Sequence, residues 1–285
     1  MDKKMPFIKN IYLFIISLML IFCFLYVQIY FTAHRTVTNK TFYTVVLKNT
    51  GFAYNAANNI KTDLLSTGLA NGIPEKVLTD AVNAEFIEAQ AEKYFSALAE
   101  YLKTGNNLSE FNKDFTDALN SRISNYISEN NITVDAETQK KLSEFIAQSE
   151  KIIVNNIIIN YDYIKPLRQP FRILDTSFLY SVIIMAVLLV VLLEITSSNV
   201  SRALRWLGYA LFSSGFITFT VSTAMLLMRL PQRINIISPY LKQFAAESMI
   251  NILNLINTYS VIFLILGLVC IVSSEILFFM KKKSR

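Results

Sequence analysis

IYLFIISLMLIFCFLYVQIYF is the sequence of residues 11–31, and it lies within an uncharged run of 25 residues between Lys9 and Arg35. About 20 apolar residues in a helix are enough to cross the hydrocarbon core of a bilayer. A cleaved secretory signal has a shorter apolar region of about 7–15 residues, followed by a small-residue cleavage pattern that is missing here. The stretch therefore predicts a membrane helix over 11–33 that stays in the protein.

Three further uncharged runs lie in the second half of the chain, at 176–193, 206–228 and 248–274, with 18, 23 and 27 residues. The whole sequence is 53% hydrophobic and only 17% charged, whereas a soluble domain has about 25% charged residues. This composition excludes a purely soluble protein. We expect an all-α integral membrane protein with four transmembrane helices, over 11–33, 174–196, 206–228 and 251–277.

The positive charges that flank these runs predict the topology. The N-terminus, the 197–206 loop and the C-terminal tail together have nine Lys or Arg residues and one acid, Asp2. Lys and Arg near the ends of spans are enriched on the cytoplasmic side, and with four spans these three segments share one side. The expected cytoplasmic segments are 1–10, 197–205 and 278–285, and the expected extracytoplasmic segments are 34–172 and 229–250.

The net charge of +6 and the isoelectric point of about 9.1 do not indicate a nucleic-acid-binding protein. Residues 32–172 have 15 basic and 16 acidic side chains, which gives this long segment a net charge of −1. A nucleic-acid interface needs basic residues clustered on one face. Because the basic excess flanks the spans instead, we expect the lipid bilayer, and no nucleic acid, as its partner.

Between residues 36 and 165, apolar side chains recur at helical spacing, which predicts successive amphipathic helices. We expect the first of them to continue from span one without interruption and to end near Gly68–Gly72. The near balance of charge and the periodic apolar faces predict a helical-bundle domain with its own core. Further helix ends are expected at Gly105 and 129–131, and candidate helix starts are Pro74, Ser109 and either Thr133 or Asp135.

The fourth helix of this domain has a heptad-like seam, which favours an antiparallel bundle within the chain over a long coiled coil. Pro166 and Pro170 are expected to end this helix before span two, because proline lacks the N–H that a helix interior uses. Later in the chain, Ser238–Pro239 indicates a helix start. That helix either continues into span four or first lies on the outer membrane surface. The seam consists of Leu142, Phe145, Ser149, Ile152, Asn156, Ile159 and Tyr163.

Glu194 and Glu275 are the acids nearest the membrane, each on the membrane side of a basic cluster. Acidic residues inside spans are candidates for ion or proton coupling. The interpretation that we favour is a position at the cytoplasmic interface, with loose pairing to Arg202, Arg205 or Lys281. A paired-carboxylate catalytic site would need both acids in one dry cleft, which the sequence does not indicate.

Spans three and four contain regularly spaced small residues, which allow helices to approach closely in a membrane. We interpret them as helix-packing stripes that face each other or a partner helix. Two alternatives stay open: a pathway for a polar solute, and an oligomer interface. The stripe in span three is Ala210, Ser214, Thr218 and Ser222, and the stripe in span four is Ser260, Gly267 and Ser274.

His34 is the only histidine and lies just outside span one. A metal site needs further ligands, and no acidic cluster adjoins His34 in the sequence, so we interpret it as a polar residue at the interface. Cys23 and Cys270 lie in the middle of spans and are expected to be inert thiols. The sequence has no glycine-rich phosphate loop and no G-x-S-x-G motif. We therefore expect no metal, no cofactor and no enzymatic activity.

Two stretches of the predicted domain, NTGF at Asn49–Phe52 and GIPEKVL at Gly72–Leu78, resemble segments of uncharacterised integral membrane proteins of Gram-positive bacteria. The resemblance covers about the first half of the domain, and its motifs are structural: a turn and a helix start. It implies a helical extracytoplasmic domain followed by several C-terminal spans. It implies no activity.

The expected function follows from this plan. We expect a non-enzymatic protein of a bacterial cytoplasmic membrane with a sensory, scaffolding or accessory role, whose outer helical domain binds a partner or ligand. The expected partners are the bilayer and another membrane or cell-envelope protein, and the sequence leaves the oligomeric state open. The alternative is a component of a membrane transport system that uses spans two to four.

Overall fold

The structure, a computed structural model, describes residues 4–71, 75, 84–105, 111–133, 135–157, 161–196, 199–236 and 238–283. It is 91% helical, with no strand among these residues. Four described helices are long and apolar enough to cross a membrane: Ile8–Arg35, Ile164–Ile195, Val200–Leu227 and Pro239–Lys281. The all-α fold class with four candidate spans is confirmed, and the chain is a multi-pass membrane protein.

The described part of the chain forms nine α-helices and one short 3₁₀ helix. In chain order these are α1 (Lys4–Arg35), α2 (Lys40–Asn49), α3 (Phe52–Ala70), α4 (Ala84–Thr104), α5 (Phe111–Glu129), α6 (Ala136–Ile157), α7 (Tyr161–Ile195), α8 (Val200–Leu227), the 3₁₀ helix (Leu230–Arg233) and α9 (Pro239–Lys283).

The helices group into two compact units. The membrane unit consists of Met1–His34, Ile173–Arg233 and Met249–Arg285. The bundle unit consists of Arg35–Arg172 and Ile234–Ser248. The helices α7 and α9 each contribute residues to both units. The chain therefore passes from one unit to the other inside these two helices and, through Arg35, at the last residue of α1.

The chain turns twice after α1, so the prediction of one uninterrupted helix is wrong. The side-chain oxygen of Asn39 accepts a hydrogen bond from the N–H of Thr41 at 3.0 Å and caps α2. Gly51, between α2 and α3, has a φ of +58°, a left-handed conformation that glycine adopts more easily than other residues. The two breaks allow Tyr43 of α2 and Phe52 of α3 to pack into one core.

Other predicted helix ends agree with the structure. Gly105 follows α4 with a φ of +86°, as expected for a glycine terminator. The carboxylate of Asp135 accepts a hydrogen bond from the N–H of Thr138 at 2.8 Å and caps α6, which confirms it as a helix start. The candidate starts Pro74 and Ser109 lie outside the described residues.

The helix α7 continues through Pro166 and Pro170, so the prediction that they end a helix before span two is wrong. Each proline removes one backbone N–H and disfavours the helix locally. Tertiary packing opposes this effect, because Ile164 is buried in the bundle core and Phe171 packs against that core. The long apolar run that follows favours helix in a membrane.

Both segments that we predicted as loops after span two are shorter in the structure. In the segment 197–205, α8 already begins at Val200, and 197–198 lie outside the described residues. In the segment 229–250, α9 begins at Pro239 and continues into span four without a break. This decides between the two alternatives for Ser238–Pro239 in favour of the continuous helix.

The core of the bundle unit is built around aromatic side chains. Phe95 of α4 lies with its ring centroid 5.3 Å from that of Tyr43 and 4.7 Å from that of Phe244. Phe52 contacts Tyr240 and Phe244, both at 5.5 Å. Residues 239–248 of α9 therefore contribute to this core, which the sequence did not predict.

The helix α6 contributes its predicted seam to the same core. Phe145 and Ser149 are completely buried, and the hydroxyl of Tyr240 donates a hydrogen bond to Oδ1 of Asn156. These contacts confirm the interpretation of the seam as intramolecular packing. Leu142 and Ile152 pack beside them, whereas Ile159 and the side chain of Tyr163 lie outside the described part of the chain.

Candidate functional site in the membrane unit

The helices α8 and α9 approach each other so closely that their backbones touch at glycines. A Cβ atom on Gly267 would lie 2.6 Å from the backbone N of Phe212 and 2.9 Å from the carbonyl oxygen of Gly208. A Cβ atom on Gly215 would lie 2.7 Å from the carbonyl oxygen of Ser260. Only glycine fits these positions without a shift of backbone. The stripes of spans three and four therefore lie against each other.

Hydroxyl groups also join α8 and α9 near the start of α8. The hydroxyl of Ser201 donates to the carbonyl oxygen of Ser274 at 2.8 Å, and the hydroxyl of Ser274 donates to the carbonyl oxygen of Ser201 at 2.7 Å. Both serines are buried. Because both hydroxyls are shielded from solvent, this reciprocal pair fixes the register of the two helices. The stripe residues Ala210, Ser214 and Ser222 are also buried.

A second group of polar side chains connects α1 to this interface. The hydroxyl of Thr218 lies 2.7 Å from Oε1 of Gln28 and 2.7 Å from the hydroxyl of Ser260. Gln28 is only 2% exposed, and its Nε2 atom has no hydrogen-bond partner among the described residues. One turn further along α8, the hydroxyl of Ser222 donates to Oδ1 of Asn257. Polar side chains of three spans thus meet inside the membrane unit.

Sequence reasoning identified the hydroxyl stripes but missed Ser201, two glycines and two amides of this interface. Gly208 and Gly215 flank the stripe of span three, and Gln28 and Asn257 are the amides that it contacts. The signal was present, because an amide in an otherwise apolar run needs a hydrogen-bond partner within the protein. By this argument the sequence alone could have predicted a polar contact for Gln28, because it is an amide within the apolar stretch 11–31.

The two candidate acids have different surroundings. Glu275 forms an ion pair with Arg205, with 2.8 Å between Oε1 and Nη2, and both side chains are partly exposed. This is one of the pairings expected from the sequence. Glu194 is exposed and lines a recess of about 500 Å³ with Lys9 and Tyr12. Glu275 is therefore neutralised by a neighbour of its own, and Glu194 faces the recess.

His34 has an acidic neighbour that the local sequence does not reveal. Its Nε2 atom lies 3.1 Å from Oδ1 of Asp175, at the start of span two, and its ring lies 4.6 Å from that of Tyr30. This single carboxylate is not an acidic cluster, and it comes from a distant part of the chain, so the local sequence around His34 does not reveal it. Among the described residues, no three His, Cys, Asp or Glu side chains gather as metal ligands would.

Outside the spans, the N-terminus of α6 has the most clearly perturbed acids. Hydrogen bonds from the side chain and backbone of Thr138 lower the pKa of the Asp135 carboxyl below its ordinary value of 3.8. A hydrogen bond and the charge of Lys141 lower the pKa of Glu137 below its ordinary value of 4.5. Both acids are exposed. Their arrangement is that of a capped helix N-terminus.

No protein-family model, curated protein or solved structure matches the chain.

Proposed function

We propose that the protein is a non-enzymatic component of a bacterial cytoplasmic membrane with a sensory, scaffolding or accessory role. In this proposal the bundle unit lies outside the membrane and binds a partner or ligand, such as another membrane or cell-envelope protein. The observation that carries it is the separation of the two cores. The buried cluster around Phe95 comes only from the bundle unit, and the cluster around Leu20 comes only from the membrane unit.

The separate core of the bundle unit supports a binding role. A domain with its own core keeps its shape, and so presents a stable surface. Its charges are nearly balanced over 32–172, which suits association with another protein better than attraction to a strongly charged polymer.

The contacts within the membrane unit support an anchoring role for the spans. Ser201 pairs with Ser274, Thr218 pairs with Ser260, and the backbones meet at Gly267. Hydroxyls that bond across a helix pair stabilise that pair. The two stripes thus pack against each other, as expected for helix-packing stripes.

The topology part of the proposal can be tested by cysteine labelling in intact cells. Cys23 and Cys270 are first replaced by Ala, and single cysteines are then introduced as Ser143→Cys and Val200→Cys, both at exposed positions. A membrane-impermeant maleimide should label position 143 in intact cells and position 200 only after permeabilisation. Labelling of position 200 alone in intact cells would show that the topology is the inverse of the proposed one.

The binding role can be tested by photocrosslinking in the full chain. A photoreactive amino acid at Tyr54, which is 65% exposed on the bundle unit, should yield a crosslink to one discrete envelope protein. The control position is Leu179 of span two, which is 65% exposed and should react mainly with lipid. If several exposed bundle positions gave no more protein crosslinks than position 179, the binding role would be rejected.

One observation favours the alternative of a transport component, and it adds a residue of span one to spans two to four. The Nε2 atom of Gln28 is buried beside Thr218 and has no partner in the described part of the chain, and intramembrane polar groups often mark a solute or ion path. The test is flux of ions and small polar solutes into liposomes that contain the full chain. Transport predicts that Gln28→Leu and Glu194→Gln reduce a measurable flux. Anchoring predicts no flux above that of empty liposomes.

A further inference from the structure

The recess beside Glu194 combines two opposite charges that do not neutralise each other. It lies between the first turns of α1, which contribute Ile8, Lys9 and Tyr12, and the end of α7, which contributes Glu194 and Ile195. Lys9 and Glu194 are both exposed, and neither forms an ion pair within the described residues. By contrast, Glu275, the other acid near the ends of the spans, is paired with Arg205. The recess of about 500 Å³ therefore offers one cation and one anion to the same occupant.

Exposed apolar side chains lead away from this recess on both helices. On α7, Val187 and Val190 are more than half exposed, and their spacing of seven and four residues from Glu194 places them on its face of the helix. On α1, Ile15 and Met19 are about half exposed and continue the face of Tyr12. A molecule that fills the recess and extends from it has a polar head with both charges and an apolar body.

We propose that this recess binds the headgroup of a phospholipid that has a phosphate and a primary ammonium group, of the phosphatidylethanolamine type. The ammonium of Lys9 and the hydroxyl of Tyr12 bind the phosphate, and the carboxylate of Glu194 accepts hydrogen bonds from the lipid ammonium. The acyl chains lie along the exposed apolar faces of α1 and α7. The proposal concerns the membrane unit alone and does not depend on the binding role of the bundle unit.

The charges in the recess discriminate between lipid classes. An anionic lipid such as phosphatidylglycerol would satisfy Lys9 but would leave Glu194 without a cation. Phosphatidylcholine has both charges, but its quaternary ammonium has no N–H to donate, so it cannot form a charge-assisted hydrogen bond with a carboxylate. The apolar faces below the recess disfavour a soluble zwitterion, since they would remain uncovered.

The test is quantitative lipid binding to the purified full chain in detergent, measured by native mass spectrometry. Phosphatidylethanolamine, phosphatidylcholine and phosphatidylglycerol with identical acyl chains are titrated separately. We expect phosphatidylethanolamine to bind about fivefold more tightly than phosphatidylcholine, which is the upper range for one partly exposed ion pair. In Glu194→Gln this preference should disappear, and in Lys9→Gln all three lipids should bind more weakly.

The matched control is Glu144→Gln, which changes an exposed acid on the bundle unit and should leave the lipid preference unchanged. Thermal melting of each variant checks that it folds, and the wild-type preference among the three lipids tests the proposal without any variant. Equal binding of the three lipids would show an ordinary lipid-facing surface and overturn the proposal. Preference for phosphatidylglycerol, or a preference for phosphatidylethanolamine that persists in Glu194→Gln, would overturn it as well.

Discussion

The bundle unit and the membrane unit are packed in opposite ways. In the bundle unit the deepest side chains are large and aromatic, such as Phe52 and Phe95, which are at most 1% exposed. In the membrane unit the closest contacts are between Gly267, Gly208 and buried serines. Water drives large apolar side chains together, whereas lipid gives no such drive, and helices there gain from close backbone approach and interhelical hydrogen bonds. The two units of this chain thus follow two different packing rules.

The largest expected effect tests whether the aromatic core needs its contribution from α9. A fragment of residues 35–172 lacks Tyr240 and Phe244, which are each 5% exposed in the core. Loss of a buried aromatic side chain costs about 3–5 kcal/mol, so loss of both approaches the whole stability of a domain. We expect this fragment to lack fixed aromatic packing by near-ultraviolet circular dichroism, and a fragment with residues 234–248 joined by a flexible linker to regain it.

The matched control for this experiment is the linked fragment with Phe244→Ala and Tyr240→Ala. It retains the added length of chain but not the two rings, so it should resemble the fragment of residues 35–172. Equal urea midpoints for all three fragments would mean that the core formed by α2 to α7 is stable without Tyr240 and Phe244. The aromatic contribution of α9 would then not support the contrast in packing between the units.

The second prediction applies to the glycine contact in the membrane unit. In Gly267→Leu the new side chain meets backbone atoms of α8 at 2.6–2.9 Å, and Ser214→Leu adds bulk at a completely buried position. Overpacking of this kind costs roughly 1–3 kcal/mol, so both variants should melt at lower temperature in one detergent. Ile265→Leu and Phe216→Leu, at positions that are about half exposed, should change the melting temperature little.

The outcome of this comparison also separates the two functional hypotheses. If Gly267→Leu and Ser214→Leu melted like the two control variants, the stripes would not form the tight contact that the geometry describes. The anchoring role of spans three and four would then lose its support, and the hypothesis of a transport pathway along the stripes would be favoured.

The features that the sequence predicted well depend on neighbouring residues. The four uncharged runs identify the spans because crossing a bilayer requires a continuous apolar segment. Asp135 identifies a helix start because a cap acts within three residues. The small residues at 210, 214, 218 and 222 identify a packing stripe because they recur with the period of a helix.

The features that the sequence did not predict depend on distant residues. Asp175 becomes the partner of His34 only after spans one and two come together. Pro166 and Pro170 would end an isolated helix, but packing of the surrounding helix on the bundle core prevents it. Tyr240 follows a loop-like segment in the sequence, and only its place beside Phe52 shows that it is a core residue.

The third prediction concerns a single hydrogen bond in the membrane unit. Ser274→Ala removes the hydroxyl that donates to the carbonyl oxygen of Ser201. Interhelical hydrogen bonds in membranes are worth about 0.6 kcal/mol on average, so we expect a small decrease in thermal stability. Ser273→Ala, on the neighbouring position of the same helix and less buried, is the matched control. A decrease as large as that of Gly267→Leu would show that hydrogen bonding, and not backbone approach, dominates the interface.

The smallest expected change in stability concerns the exposed N-terminus of α6 in the bundle unit. Because folding lowers the pKa of Asp135 below its ordinary value of 3.8, the unfolded state binds a proton more readily. The ionised cap therefore stabilises the helix start above about pH 4, and this contribution is lost as the pH falls through the lower, folded pKa. The Thr138 amide, which donates to this carboxylate at 2.8 Å, should lose hydrogen-exchange protection over that range, after correction for intrinsic exchange. The amide of Phe145, in the interior of α6, should stay protected.

Asp135→Asn preserves a good capping side chain but has no charge to titrate, so it should flatten the pH dependence at Thr138. A pH dependence that is the same in Asp135→Asn would assign the effect to Glu137, whose pKa is lowered by its hydrogen bond with Lys141, and not to the cap.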